Sequence, residues 1–131
     1  MKKLLLLLMF FASVLCFSQE RVFNAKVIDL LEFNYETENY DIVTSKKMDF
    51  SIAVWEESFI IIEGDKRGQR IDWYKDREQS TEDIRVLYTE NREMKIVFNK
   101  EKEIISIFSE YNLKTGWYEK SKILSDIKVL N

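Results

Sequence analysis

The sequence predicts an all-β fold: an antiparallel meander of about seven to nine short strands forming a small sandwich or barrel, behind an N-terminal signal peptide. Three observations carry this expectation. Apolar and polar residues alternate with a period of two, in runs rich in β-branched and aromatic side chains. Polar stretches of turn-forming residues separate those runs at regular intervals. Two runs, residues 59–62 and 104–108, are apolar on both parities, so both faces of those strands need a cover.

The opening segment, "MKKLLLLLMFFASVLCFSQE", is a different kind of sequence. Lys2 and Lys3 precede an apolar run over residues 4–17 that only Ser13 interrupts. The run has the length of a secretory signal core and is short for a spanning helix. Cys16 and Ser18 supply the small side chains that a cut between Ser18 and Gln19 requires. Residues 1–18 are therefore read as a signal peptide and residues 19–131 as a single β domain, secreted or periplasmic, with no stable membrane anchor after cleavage. The alternatives are an uncleaved anchor and a lipid attached at Cys16, against which the bulky Leu15 stands. The segment resembles the export signals of small proteins of Gram-negative bacteria, which implies a compartment and no activity.

The elements follow in order. Residues 21–35 place Phe23, Ala25, Val27, Leu31, Phe33 and Tyr35 on one parity and Ile28 and Leu30 on the other, which predicts a bulge or bend near Asp29. "ETEN" is a turn. Tyr40, Ile42 and Thr44 make a second short strand, ended by Ser45-Lys46-Lys47. Met48, Phe50, Ile52 and Val54 then alternate with Asp49, Ser51 and Ala53, a strand with one buried face. "SFIIIE" leads into "GDKRG", whose Gly64 and Gly68 can take positive φ in a hairpin, and "QRIDWYK" returns from it. "DREQSTED" is the longest polar stretch and has room for one helical turn capped by Ser80 or Thr81. "IRVLYT", "MKIVFN" and "EIISIFSEY" are strands joined by the short loops "TENRE" and "NKEKE". "NLKTG" leads to "WYEK". In "SKILSDIKVLN", Ile123, Ile127 and Leu130 have helical spacing, but the β-branched content favours strand or mixed structure.

Composition excludes several chemistries. The chain has no His and no Pro, and its single Cys lies in the signal segment. The domain therefore has no disulfide, no thiol nucleophile, no Ser-His-Asp triad and no thiolate or imidazole zinc site. Carboxylates, Lys, Tyr, Ser and Thr remain. Glu56, Glu57, Asp72, Asp76, Glu78, Glu82 and Asp83 crowd the middle of the chain. Asp72 and Asp76 stand about 13 Å apart on a straight strand, farther than the ~5–9.5 Å that separates glycosidase carboxyl groups. These acids are read as solvated turn and rim charges. Lys66 and Arg67 occupy the ligand positions that a calcium loop at "DKRGQRID" needs, and the acids of "DREQSTED" are irregularly spaced. No metal and no cofactor is expected. Lys66, Arg67 and Arg70 form one basic tip and Lys114, Lys120 and Lys122 another, and such charges commonly guard hairpins and sheet edges. With a formal net charge of −3 for the whole chain, made more negative by removal of Lys2 and Lys3, no nucleic-acid partner is expected.

Two "WY" pairs are the candidate ligand-binding residues: Trp73 with Tyr74, and Trp117 with Tyr118. Adjacent strand residues point to opposite faces, so each pair exposes one large aromatic if one face is solvated. The competing reading puts each indole in the core and each phenol at the water boundary. Together these observations predict a noncatalytic binding module for a protein or a small-molecule or glycan ligand, and not an enzyme. The alternatives are an envelope component that pairs through an edge strand and a carboxylate-dependent hydrolase.

The exported product should begin at Gln19. Intact-mass measurement of secreted material checks this, and retention of residues 1–18 contradicts it.

Overall fold

A computed structural model describes residues 21–130; the expected signal peptide and the expected cut after Ser18 lie outside the described residues. The alternating runs form ten strands: β1 (Arg21–Asn34), β2 (Asn39–Val54), β3 (Ser58–Glu63), β4 (Lys66–Arg67), β5 (Ile71–Asp72), β6 (Tyr74–Lys75), β7 (Ile84–Tyr88), β8 (Lys95–Asn99), β9 (Ile104–Tyr111) and β10 (Tyr118–Leu130). All lie in one sheet of order β4-β3-β2-β1-β10-β9-β8-β7-β6, with β5 also pairing with β3, and every pairing is antiparallel. The sheet curls into a half-barrel. Among the described residues no second sheet packs on it, so the sandwich expectation gives way to one layer folded around its own core. Among the described residues, no helix is long and apolar enough to cross a membrane.

The meander holds except at two places. The first and last described strands pair with each other, from Val22 with Leu130 to Glu32 with Lys120, so both lie mid-sheet. The break in the hydrogen-bonded order falls mid-chain instead, between β5 and β6. "QRIDWYK", read as one strand, is two strands separated by Trp73. β5 pairs with β3 through Ile71 and Phe59, whereas β6 pairs with β7 through Tyr74 and Tyr88. One continuous stretch of chain thus joins the two sheet edges.

Other boundaries also differ from the sequence reading. The two strands expected on either side of Ser45-Lys46-Lys47 are a single sixteen-residue strand, β2. Lysines do not end a strand whose one side is solvated, and residues 41–47 are all exposed. The bulge expected near Asp29 is two irregularities, between Ala25 and Val27 and between Leu30 and Leu31. Each gives β2 one more residue than β1. At the first, Asp126 of β10 takes φ 52°, and the inward parity of β1 switches from Ala25 to Ile28, both fully buried. Only Gly64 of the "GDKRG" pair has positive φ. Gly68 is needed for close approach: its N–H donates to Ile61 O at 2.9 Å, and a Cβ would lie 3.1 Å from that oxygen. "DREQSTED" holds no helix. The Asp76 carboxylate accepts the N–H groups of Glu78 and Gln79, making an Asx turn. Among the described residues a single short 3₁₀ turn, broken by the positive φ of Asn91, lies at Glu90–Arg92, in the loop expected to be a plain hairpin.

Phe50, Phe59, Ile52, Ile96 and Leu124 fill the interior and are essentially inaccessible. An aromatic chain runs through it: Phe59 to Trp73 at 5.3 Å, Trp73 to Phe98 at 5.9 Å and Phe98 to Phe23 at 5.4 Å between ring centroids. The Trp73 indole N–H donates to Glu56 O at 3.1 Å and its backbone N–H to Glu57 O at 3.0 Å. The residue therefore belongs to the core and also ties the seam to the turn between β2 and β3.

Trp73→Ala should destabilise the protein by about 3–5 kcal/mol, measured by urea denaturation. An unchanged midpoint contradicts the seam-and-core role.

Candidate functional site

A second aromatic cluster lies on the other face of the sheet. Ile107 belongs to the core and Phe108, the next residue of the regular strand β9, points the opposite way. Around Phe108, the ends of β1, β2, β9 and β10 gather Phe33, Tyr35, Tyr40, Tyr111, Trp117 and Tyr118. Phe33 is the hub. It stacks on Trp117 at 4.6 Å with an interplanar angle of 18°, and meets Tyr35 and Tyr40 edge-on. Phe33 is buried, while Trp117 keeps 44% and Tyr35 46% of their surface in water.

Two matching turns bring these rings together. Residues 35–38 and 113–116 are four-residue hairpin loops, each opened by an asparagine. The Asn34 side-chain oxygen accepts the N–H groups of Glu36 and Thr37, and the Asn112 oxygen accepts those of Lys114 and Thr115. Each loop closes on a residue of positive φ, Glu38 at 57° and Gly116 at 76°. The β1–β10 register, with Glu32 opposite Lys120, sets the loops side by side.

Between them lies a polar cluster. The Tyr35 hydroxyl donates to the Glu119 carboxylate, to which the Asn112 amide also donates at 2.7 Å. Thr115 Oγ1 lies 3.3 Å from the same tyrosine hydroxyl. The hydrogen bonds from Tyr35 and Asn112 hold the Glu119 carboxyl below the usual carboxylate range. It stays ionised and acts as an acceptor. Tyr35 lines an open depression of about 430 Å³ with Glu32, Glu36 and Asp41, and Glu119 lines another of about 500 Å³ with Glu110, Lys114 and Leu113. The first rim carries three acids and no cation, and the second carries two acids and Lys114.

The inner part of the cluster is held by its hydroxyls. The Tyr118 hydroxyl donates to Arg92 O and the Tyr40 hydroxyl to Tyr118 O, both at 2.8 Å. Burial, with Tyr88 and Tyr111 nearby, pushes the Tyr118 hydroxyl up to about 12. Lys95 places its ammonium 5.4 Å from the Phe108 ring centre and 5.8 Å from that of Tyr88. Burial pulls the ammonium below its usual value, Arg92 adds to the effect and Asp76 opposes it.

The four candidate aromatics do not form one site. Trp73 is core and Tyr74 is 63% exposed, whereas Trp117 is half-exposed and Tyr118 is buried. Each pair does split into one buried and one exposed ring. The reading that puts every indole inside holds for Trp73 and fails for Trp117, because Gly116 and the loop before it lift residue 117 out of β10. Arg70, expected in a basic tip, stacks instead over Trp55 at 4.0 Å and donates to Ser58. Phe33, Tyr35, Asn112 and Glu119 were not anticipated. The one signal for them was an asparagine four residues before a turn-closing position, in "NYETE" and "NLKTG". Among the described residues, no group of three or more acids, Cys or His is placed to hold a metal ion.

The geometry defines an antiparallel half-barrel with a filled interior and an aromatic, acid-rimmed end. No protein-family model, curated protein or solved structure matches the chain.

Below pH 10 the Tyr118 hydroxyl is protonated in both folded and unfolded chains. Between pH 10 and about 12 the unfolded chain loses this proton first, so stability should fall as pH rises through that window. Tyr118→Phe should weaken the alkaline limb of a denaturation-versus-pH curve. An identical limb in both proteins contradicts this.

Proposed function

We propose that this protein is an exported, noncatalytic binding module, and that its ligand is an uncharged saccharide seated on Trp117. One observation carries the reading. Trp117 is stacked face to face on the buried Phe33, yet keeps 44% of its surface in water, beside hydrogen-bonding groups that are already oriented. A flat indole fixed in advance presents apolar area to the C–H face of a sugar ring at little entropic cost. The Glu119 carboxylate, the Asn112 amide and the Thr115 hydroxyl gather around Tyr35, which packs on the same Phe33 as Trp117.

The charge of the rim narrows the ligand. Glu32, Glu36, Asp41, Glu110 and Glu119 line the two depressions, against Lys114 on the second rim and Lys120 paired with Glu110. Anionic sugars are repelled there, and neutral ones are not. A Glu119 held ionised suits an acceptor for sugar hydroxyls; a general acid needs the opposite shift. Export rests on the signal segment, and a module with no Cys or His in its body keeps its form in an oxidising compartment without thiol chemistry.

Titration with neutral oligosaccharides (gluco-, xylo- and chito-oligomers) should quench or shift the tryptophan fluorescence. Trp117→Ala should abolish the change, at a cost in stability of about 1 kcal/mol. Absence of a response to the whole panel, or a response that survives Trp117→Ala, overturns the reading.

A further inference from the structure

β2 is paired on its far side only in its second half. β3 covers Phe50 to Val54, and Gly64 N–H caps the carbonyl of Asp49 before the chain turns back. No strand pairs with the other side of residues 39–48 among the described residues. Residues 41–47 are exposed without a break, including Ile42 at 63% and Val43 at 58%. This is the longest open edge in the sheet; the formal edge strands β4 and β6 have two residues each.

The edge reads Asp41-Ile42-Val43-Thr44-Ser45-Lys46-Lys47. It has an acid at one end, β-branched residues in the middle and two cations at the other. Run antiparallel against itself, such a strand sets each acidic end beside a basic end and the β-branched centre against its equivalent. From this self-complementarity we propose that a second copy of this chain pairs along residues 39–47, joining two sheets across a two-fold axis near Val43 and Thr44. Lysines on an edge turn away foreign strands, but a copy brings Asp41 to meet them. The two extra residues of β2 add local twist to the edge, and a copy has the same twist. The contact is isologous, so it closes at two chains and leads to no fibre. The edge shares Asp41 with the rim of one depression, but its test reads association and not sugar binding, so the two readings fail separately.

The test is sedimentation velocity on the purified protein over a concentration series, with hydrogen exchange read in parallel. The expected result is a monomer–dimer equilibrium in which amides of residues 40–47 gain protection as concentration rises. Asp41→Lys places like charges together at both ends and should weaken the dimer about tenfold. The triple variant Asp41→Lys, Lys46→Asp, Lys47→Asp restores opposite signs and should recover it. A monomer at every concentration up to the solubility limit overturns the proposal. So does a dimer whose protection maps elsewhere, or a triple variant no tighter than the single one. If Asp41→Lys misfolds, the wild-type protection pattern decides alone.

Discussion

The half-barrel depends on one residue that joins its edges. Strands of two residues have too few ladder bonds to hold their place, yet β5 and β6 are where the curled sheet comes round on itself. Trp73 stands between them. Its ring packs on Phe59 from one side of the seam and Phe98 from the other, and its two N–H groups bond the carbonyls of Glu56 and Glu57. Hydrophobic packing therefore does at the seam what strand pairing does elsewhere. The buried interior follows from that closure, because Phe50, Ile52, Ile96 and Leu124 face a space that the seam bounds.

The two aromatic systems divide the work between the faces of the sheet. The inner chain from Phe23 through Phe98 and Trp73 to Phe59 is stabilising. The outer cluster is built at the far ends of the long strands, where bulges and positive-φ residues turn the parity. Its inner members, Tyr40 and Tyr118, donate their hydroxyls to main-chain carbonyls, so burial leaves no hydroxyl unpaired. Its outer members, Tyr35 and Trp117, rest on the buried Phe33 and are held without being covered. Rigid support below and free surface above is the condition for a preformed site.

Much of this was legible in the residues. Period-two alternation identified β2 after Met48, β7, β8 and β9, because a strand with one wet face writes its orientation into every second residue. Residues 121–130 resolve as strand because β1 on one side and β9 on the other supply the pairing that a lone periodicity cannot show. The break at Trp73 was not readable: "QRIDWYK" alternates well enough for one strand, and only the curvature of the whole sheet divides it. Nor was the site. Phe33 and Trp117 are far apart in sequence, and their stacking requires the first and last strands to be neighbours, which no local pattern encodes.

That neighbourhood also sets an order of events. β10 is made after every other described strand, yet among the described residues it is the only link between β1 and β9 in the middle of the sheet. Until it arrives, the β1–β4 and β7–β9 ribbons share no hydrogen-bonded strand. Contacts of such sequence separation form slowly, so the emerging chain cannot lock into its final form from the front. It stays open to rearrangement until β10 has been made.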